Sequence, residues 1–282
     1  MENLVSTQWL AEQLGAGDLR VVDATRHHFE AQRNARAEYE AGHIPGALFL
    51  DMPSLFDPAS PVENTAPTAE QFSRRMRELG LERDQRIVIY DESIVKTAAR
   101  AWFLFKAYGL PNVAMLDGGL AKWKAEGRPV EPGVPTVQPS AFAARIAPDR
   151  FRSKAQVLAN IATLREQLVD GRGVEHFSGE HDDPQPGIAA GHIPGARNVP
   201  FWDLFNADGT FKPREELRAL FAGAGVDLSR PVVTSCGGGV VACALALALD
   251  QLGKGDVALY DGSWSEWGAD PALPRETGRT PA

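Results

Sequence analysis

One cysteine stands where an apolar run gives way to a glycine-rich turn. Residues 231–242 read Pro-Val-Val-Thr-Ser-Cys-Gly-Gly-Gly-Val-Val-Ala, so Cys236 ends a β-branched stretch and precedes three glycines. The apolar stretch 240–252 contains no Pro or Gly and predicts a buried helix. Backbone N–H groups from Gly237 onward, together with the helix dipole, can then surround the sulfur, lower its pKa and favour the thiolate. This pattern fits a nucleophilic cysteine, and it fits equally a buried structural cysteine beside a turn.

The second cysteine and the residues after the glycines show no pattern of a metal or nucleotide site. Cys243 falls inside the predicted helix, where a packed core thiol is expected. The two cysteines lack the spacing of metal ligands, and no Lys-Ser/Thr pair follows the glycines as in a nucleotide-binding loop. We therefore expect no metal and no cofactor.

Composition bounds the class of protein. A chain of 282 residues predicts two domains, and a net charge of -8 with interspersed signs argues against a nucleic-acid surface. No apolar run is long enough to cross a bilayer, and Met1-Glu2-Asn3 does not begin a secretory leader. Two cysteines form no disulfide framework, which favours a reducing compartment. We expect a cytoplasmic monomer that binds neither nucleic acid nor membrane.

The chain contains an internal duplication. Residues 41–47, Ala-Gly-His-Ile-Pro-Gly-Ala, recur unchanged as residues 190–196. Other landmarks keep nearly the same offset, such as Val-Val-Asp at 21–23 and Leu-Val-Asp at 168–170. In this alignment Asp91 occupies the position of Cys236, so only the second copy can be nucleophilic there.

Each copy alternates short apolar strands with helical stretches, which predicts an α/β fold with a parallel sheet flanked by helices. The strands expected in the first copy are Leu19–Asp23, Ala47–Leu50, Ile87–Tyr90 and Val113–Leu116. Thr68 and Gln71 form the capping-box pattern of a helix start. Prolines and glycine near residues 129–139 favour an extended linker. We expect one domain at 1–133, a linker at 134–150 and a second domain at 151–282.

Several motifs in order along the chain resemble the tandem-domain rhodanese family of sulfurtransferases, and most closely its 3-mercaptopyruvate branch. They are the repeated His-Ile-Pro-Gly-Ala, Asp117-Gly118-Gly119, Tyr260-Asp261-Gly262-Ser263-Trp264 and the Cys-Gly-x-Gly-Val loop. The resemblance covers nearly the whole chain. It implies two rhodanese-like domains, the first silent and the second catalytic, with Cys236 carrying sulfur as a persulfide.

The same resemblance implies the residues that bind substrate. A persulfide is an anion with a weak bond, so it needs oriented donors and little crowding, which a ring of backbone N–H groups supplies. The expected ring comprises Gly237, Gly238, Gly239, Val240 and Val241.

The chain departs from the family's pattern around this site. Gly238 stands where mercaptopyruvate enzymes usually have a hydroxyl residue, and Val241 stands where they have Thr. No basic pair follows the cysteine, as it does in thiosulfate enzymes. His176 and Gln185 occupy the positions of an arginine pair that clamps the donor carboxylate, and Asn34 that of an aspartate in a proton relay.

Two cationic side chains remain as candidates for binding the donor. Arg172 is either a substrate-binding group or one partner of a structural ion pair with a neighbouring acid. His176 lies in the stretch expected to face the pocket, where it either binds an anionic donor as a partial cation or plays no such role. His43 and His192 occur in both copies, which favours a structural role for both.

Three functions remain to be compared. The leading hypothesis is a sulfurtransferase that moves a sulfane sulfur from a small anionic donor, 3-mercaptopyruvate or thiosulfate, to cyanide or a thiol through Cys236. A cysteine phosphatase or arsenate reductase would need an arginine closing the loop, and residues 237–242 contain none. The third hypothesis is a non-enzymatic sulfur carrier or binding module whose donor site has decayed.

Overall fold

The computed structural model describes residues 1–279 and comprises two compact units. The first consists of residues 1–57, 66–147 and 206–211, and the second of 58–65, 148–205 and 212 onward. Residues 280–282, the last three of the predicted second domain, lie outside the described residues.

The units differ from the predicted domain bounds in two ways. Each unit includes a short segment from the other half of the sequence, which the predicted bounds of 1–133 and 151–282 do not include. Residues 134–147, predicted as linker, belong to the first unit, because Phe142 is buried there with its ring 6.0 Å from that of Phe72.

The first unit is built on a five-stranded parallel sheet. Its strands are β1 (Leu4–Val5), β2 (Leu19–Asp23), β3 (Leu48–Phe49), β4 (Arg86–Tyr90) and β5 (Val113–Leu116), in the order β1-β5-β4-β2-β3. Its helices are α1 (Thr7–Gln13), α2 (Ala35–Ala41), α3 (Ala69–Glu78), α4 (Thr97–Ala107) and α5 (Gly119–Ala125), with a 3-10 turn at Met52–Leu55. The capping box predicted at Thr68 and Gln71 begins α3. Strand β1 was not predicted, because two residues carry no periodicity.

The second unit repeats this design. Its strands are β6 (Phe151–Arg152), β7 (Gln167–Asp170), β8 (Arg197–Asn198), β9 (Val232–Ser235) and β10 (Ala258–Tyr260), all parallel in the order β6-β10-β9-β7-β8. Its helices are α6 (Lys154–Thr163), α7 (Val174–Ser178), α8 (Arg214–Gly223), α9 (Ala242–Gln251) and α10 (Ser263–Trp267), with 3-10 turns at Pro148–Arg150 and Phe201–Leu204. The predicted α/β class with two parallel sheets is confirmed.

The buried central helix positions the loop in each unit. Helix α9 is buried along most of its length, because its Ala and Leu side chains face neighbours all round. It follows β9 through a six-residue loop, and α4 follows β4 in the same way. The loop is thereby fixed at the carboxyl edge of the sheet, where parallel α/β folds place their ligands.

Two negative findings hold for the part of the chain that the structure describes. No helix in residues 1–279 is long and apolar enough to cross a bilayer. Within the same range, no cluster of three or more His, Cys, Asp or Glu side chains could hold a metal ion.

Candidate active site

Cys236 lies directly after β9, in the loop that leads into α9. Its side chain is nearly inaccessible, at 2% relative exposure. The Cys236 N–H donates to Ser263 Oγ at 3.1 Å, and the Cys236 carbonyl accepts from the Trp264 N–H at 2.9 Å. The start of α10 therefore holds the cysteine backbone from one side.

Helix α10 also holds the next residue of the loop. The Ser265 N–H and the Ser265 Oγ each donate to the Gly237 carbonyl at 2.8 Å. Further along, Gly239 adopts φ +73°, a left-handed conformation that glycine reaches without steric cost. The Cys243 Sγ–H donates to the Gly239 carbonyl at 3.3 Å. Both ends of the loop are thus fixed by hydrogen bonds.

Burial raises the pKa of the Cys236 thiol above its ordinary value. The N–H groups of Ala242, Gly238 and Gly239 act on the sulfur and lower that pKa, while the Asp170 carboxylate raises it. The prediction of a lowered thiol pKa is therefore wrong for this structure. Removal from water and a neighbouring negative charge outweigh the oriented amides.

The ring of amides differs from the predicted set. Gly238 and Gly239 are two of its expected members, and the N–H of Ala242 joins them at the first residue of α9. Gly237, Val240 and Val241 are half-buried. Sequence reasoning missed Ala242 because its part depends on where the helix begins, which is the least certain feature of a pattern.

Arg172 is the partner of a buried ion pair. Its Nε and Nη2 donate to the Asp170 carboxylate at 2.8–3.2 Å, and Nη2 also donates to the Gly191 carbonyl at 2.8 Å. The guanidinium lies 4.5 Å from the centroid of the Trp264 ring. This geometry favours the structural interpretation of Arg172 over the substrate-binding one.

His176 lies on the short helix α7 and is half-buried. Its Nδ1 is buried without a hydrogen-bond partner among residues 1–279, and its ring packs edge-on against His181 at 5.8 Å. The unsatisfied nitrogen leaves a polar atom available to a ligand. Gln185, the other residue at the clamp position, is exposed and lies 3.5 Å from Ser265 Oγ through Oε1.

The repeated histidines form matching structural contacts in each unit. His43 Nδ1 bonds the Tyr39 carbonyl and His192 Nδ1 the Phe177 carbonyl, both at 2.8 Å. Each imidazole stacks on the ring of that same partner, at centroid distances of 4.1 and 3.8 Å. The predicted structural role of the two histidines is confirmed.

Asn64 is a site residue that sequence reasoning missed. It lies in segment 58–65, which packs in the second unit. A Cβ placed on Gly238 would lie 3.2 Å from Asn64 Nδ2 and 3.8 Å from Ser265 Oγ. No local signal could have found Asn64, because its placement depends on a tertiary contact across the sequence.

The first unit carries Asp91 at the corresponding loop position. Its carboxylate accepts hydrogen bonds from the Ala98 N–H at 3.1 Å and from Thr97 Oγ1 at 3.2 Å. Burial raises the pKa of this carboxyl group. The loop therefore has a similar architecture in both units, with a carboxyl group in the first unit where the second has a thiol.

Comparisons with known proteins agree with this geometry. The family model described as rhodanese-like domain matches twice, at residues 6–126 and 153–270. The 3-mercaptopyruvate sulfurtransferase of Escherichia coli strain K12 is 39% identical over 273 residues, which cover 96% of this chain and 97% of that protein. The thiosulfate sulfurtransferase of Rattus norvegicus is 41% identical over 273 residues, covering 94% of this chain and 91% of its own length.

The fold is similar to that of a solved relative. The crystal structure of the 3-mercaptopyruvate sulfotransferase SseA from Escherichia coli superposes with a TM-score of 0.85 at 37% identity. The superposition covers 94% of this chain and 100% of that one.

Proposed function

The chain belongs to the tandem-domain rhodanese family of sulfurtransferases, and from this premise we propose that Cys236 carries the transferred sulfur as a persulfide. The sulfur comes from a small anionic donor and passes to cyanide or a thiol. The names of the relatives supply 3-mercaptopyruvate and thiosulfate as the donors to test.

The first half-reaction follows from the geometry of the loop. The Cys236 thiolate attacks the transferable sulfur of the donor, and a new S–S bond forms. The bond from that sulfur to the departing group, S–S in thiosulfate and C–S in 3-mercaptopyruvate, breaks and the departing group keeps the electron pair. The N–H groups of Gly238, Gly239 and Ala242 lower the pKa of the thiol, so they favour the negative charge that the persulfide carries. An acceptor then removes the outer sulfur and regenerates the thiolate.

The raised thiol pKa shapes the pH dependence of this step. Burial and Asp170 keep Cys236 protonated in the resting state at neutral pH. The fraction present as thiolate increases as the pH rises toward that pKa, so we expect the first half-reaction to accelerate in alkaline solution.

The remaining assignments follow from the duplication. We propose that the unit built around the predicted domain 1–133 is non-catalytic, since Asp91 occupies the loop position there, and that the unit built around the predicted domain 151–282 is catalytic. Arg172 supports the site through Asp170, and His176 offers Nδ1 to the donor. We also propose a cytoplasmic location, because two buried cysteines that form no disulfide suit a reducing compartment, and we propose a monomer.

The observation that carries the proposal is a buried cysteine directly after β9, in a glycine loop whose backbone is held by hydrogen bonds from α10. The test is to incubate the protein separately with 3-mercaptopyruvate and with thiosulfate, add cyanide, and measure thiocyanate. We expect Cys236→Ser to abolish turnover and Cys243→Ser, whose hydroxyl can still donate to the Gly239 carbonyl, to retain it.

The opposite results would be equally informative. Equal thiocyanate formation by the parent and by Cys236→Ser would contradict the persulfide mechanism. No turnover by the parent with either donor would refute both donors and leave the sulfur-carrier function.

A further inference from the structure

A short extended segment after α10 returns to the second unit and closes over it. This segment, residues 274–278, reads Pro-Arg-Glu-Thr-Gly and is called the strap. The Trp267 Nε1–H donates to the Pro274 carbonyl at 2.8 Å, and the Gly278 N–H donates to the Ser178 carbonyl at 2.8 Å. Both ends of the strap are therefore held by the body of the unit.

Glu276 makes the contacts at the centre of the strap. Its N–H donates to the His192 carbonyl at 2.9 Å, and its own carbonyl accepts the His192 N–H at 2.8 Å. Its Oε2 accepts the Gly195 N–H at 3.1 Å and lies 3.8 Å from His192 Nε2. Through Glu276 the strap holds the loop that carries the repeated His-Ile-Pro-Gly-Ala motif.

Gly191 connects this loop with the interior of the unit. It has φ +110°, a conformation that favours glycine, and a side chain there would collide with the Glu276 carbonyl. The Gly191 carbonyl accepts a hydrogen bond from Arg172 Nη2 at 2.8 Å. Because Gly191 adjoins His192 in the chain, the strap fixes the position of this acceptor.

Arg172 links that acceptor to the cysteine. Its guanidinium also donates to the Asp170 carboxylate at 2.8–3.2 Å and lies 4.5 Å from the centroid of the Trp264 ring. The Trp264 N–H donates to the Cys236 carbonyl at 2.9 Å. Burial raises the pKa of the Cys236 thiol, and the Asp170 carboxylate adds to this rise. The guanidinium therefore touches both groups through which the surroundings act on Cys236.

The charge of Asp170 is the one that depends on where Arg172 lies. A guanidinium held on Asp170 neutralises part of the carboxylate charge, and a displaced one leaves that charge to oppose a thiolate nearby. Elements packed around the cysteine loop carry further titratable groups, and substitutions in the strap leave them unchanged: Cys243 on α9, Asp261 after β10 and Glu266 on α10.

We propose, on the basis of the sulfurtransferase function, that Glu276 is a positioning residue for the Cys236 nucleophile. It acts through the Gly191 carbonyl, which keeps Arg172 paired with Asp170. When the strap is loosened, the carboxylate charge is less compensated and the protonated thiol is favoured. Fewer molecules then carry the thiolate that attacks the donor at neutral pH.

The first unit supplies a matched control. The pattern Pro-x-Glu-x-Gly recurs at residues 129–133. Glu131 exchanges backbone hydrogen bonds with His43 at 2.9 and 3.0 Å, and its carboxylate accepts the Gly46 N–H at 2.8 Å. Thr25 occupies the position that corresponds to the arginine of the second unit. The same contacts therefore close a unit whose loop carries a carboxyl group in place of the thiol.

The test is the rate of iodoacetamide alkylation of Cys236 against pH, read by peptide mass spectrometry. Glu276→Ala removes the carboxylate, and Glu276→Pro removes in addition the N–H that binds the His192 carbonyl. We expect Glu276→Pro to raise the midpoint of the profile by about half a pH unit, which slows alkylation at neutral pH about threefold. Glu276→Ala should move it less in the same direction, and Glu131→Ala and Glu131→Pro should keep the parental midpoint.

The shape of the pH profile separates positioning from a purely structural role. A strap that only stabilises the fold would slow alkylation by one factor at every pH, and that result would overturn the proposal. A midpoint that stays at the parental value or falls would overturn it as well. If circular dichroism shows Glu276→Pro to be unfolded, Glu276→Ala and Glu131→Ala are compared by the same criteria.

A double substitution tests the route through Asp170. In an Asp170→Asn background the charge is already absent, so adding Glu276→Ala should leave the midpoint where Asp170→Asn places it. A rise as large as in the parent would show that Glu276 acts by another route and would overturn the proposal.

The proposed function fails in a different way. Sulfur loading on Cys236 from 3-mercaptopyruvate and from thiosulfate is measured on the same proteins by intact mass spectrometry. If neither donor places sulfur on Cys236, transfer from these donors is refuted, whereas the alkylation profiles still decide the role of Glu276.

Discussion

Asp170→Asn is expected to make the protein less stable and its nucleophile more acidic. Asp170 and Arg172 are 3% and 8% exposed and are joined by hydrogen bonds at 2.8–3.2 Å. Removing one charge of a buried pair leaves the other uncompensated, at a cost of about 3 to 5 kcal/mol. The amide keeps an oxygen for the Arg172 N–H, so we expect the lower end, about 3 kcal/mol.

The same Asp170→Asn substitution that lowers the stability is expected to favour the thiolate form of Cys236. The Asp170 carboxylate raises the pKa of the thiol, so its neutralisation lowers that pKa and leaves the positive Arg172 beside the site. Each unit by which the pKa falls gives about ten times more thiolate at neutral pH. The assay is the rate of iodoacetamide alkylation of Cys236 against pH, read by peptide mass spectrometry, beside urea unfolding.

Asp23 offers a matched control in the first copy. Its Oδ1 accepts the Thr25 N–H at 2.9 Å, as Asp170 Oδ1 accepts the Arg172 N–H at 2.9 Å. We expect Asp23→Asn to leave Cys236 alkylation unchanged. An Asp170→Asn protein with an unaltered or raised thiol pKa, or with parental stability, would refute the electrostatic account of the site.

Two further predictions concern the loop and the first unit. Cys243→Ala removes the Sγ–H that donates to the Gly239 carbonyl, so we expect sulfur loading at Cys236 to slow by about threefold to tenfold. Cys243→Ser keeps a donor and should load at nearly the parental rate. Equal rates for both variants would show that this hydrogen bond does not position the loop. Burial raises the pKa of Asp23 to about 6, so the stability that this group contributes is complete below its ordinary pKa of 3.8 and is lost as the pH rises through 6. Asp23→Asn should therefore gain about 3 kcal/mol over the parent at pH 8 and almost nothing near pH 4 in urea unfolding. A pH-independent difference would contradict this linkage.

Local sequence patterns and the internal duplication predicted most of the fold. The runs at Leu19–Asp23 and Val113–Leu116 became strands with the predicted bounds, because buried parallel strands consist of β-branched and apolar residues that fit little else. The duplication then located β7 and β9 from their counterparts in the first copy. The two-residue strands β1 and β6 were not predicted, because they are strands only through their pairing with a neighbouring strand.

The sequence predicted the nucleophile and its loop, but not the direction in which the thiol pKa is shifted. Cys236 and its glycine loop followed from the strand-to-helix pattern, whereas the direction of its pKa shift did not, since burial depends on packing that no local pattern encodes. Arg172 and Asp170 are two residues apart, so their ion pair could be anticipated. The position of Asn64 could not be anticipated, because it is 174 positions away from Gly238 in the sequence.

The exchanged segments make each half of the chain depend on the other for a complete unit. Residues 58–65 fold with the second unit and residues 206–211 with the first, so a cut at the linker would leave each half without a piece of its own unit. A catalytic half expressed alone would keep Cys236 and lose Asn64. Each unit is therefore complete only in the full chain, and the two copies are not separable repeats.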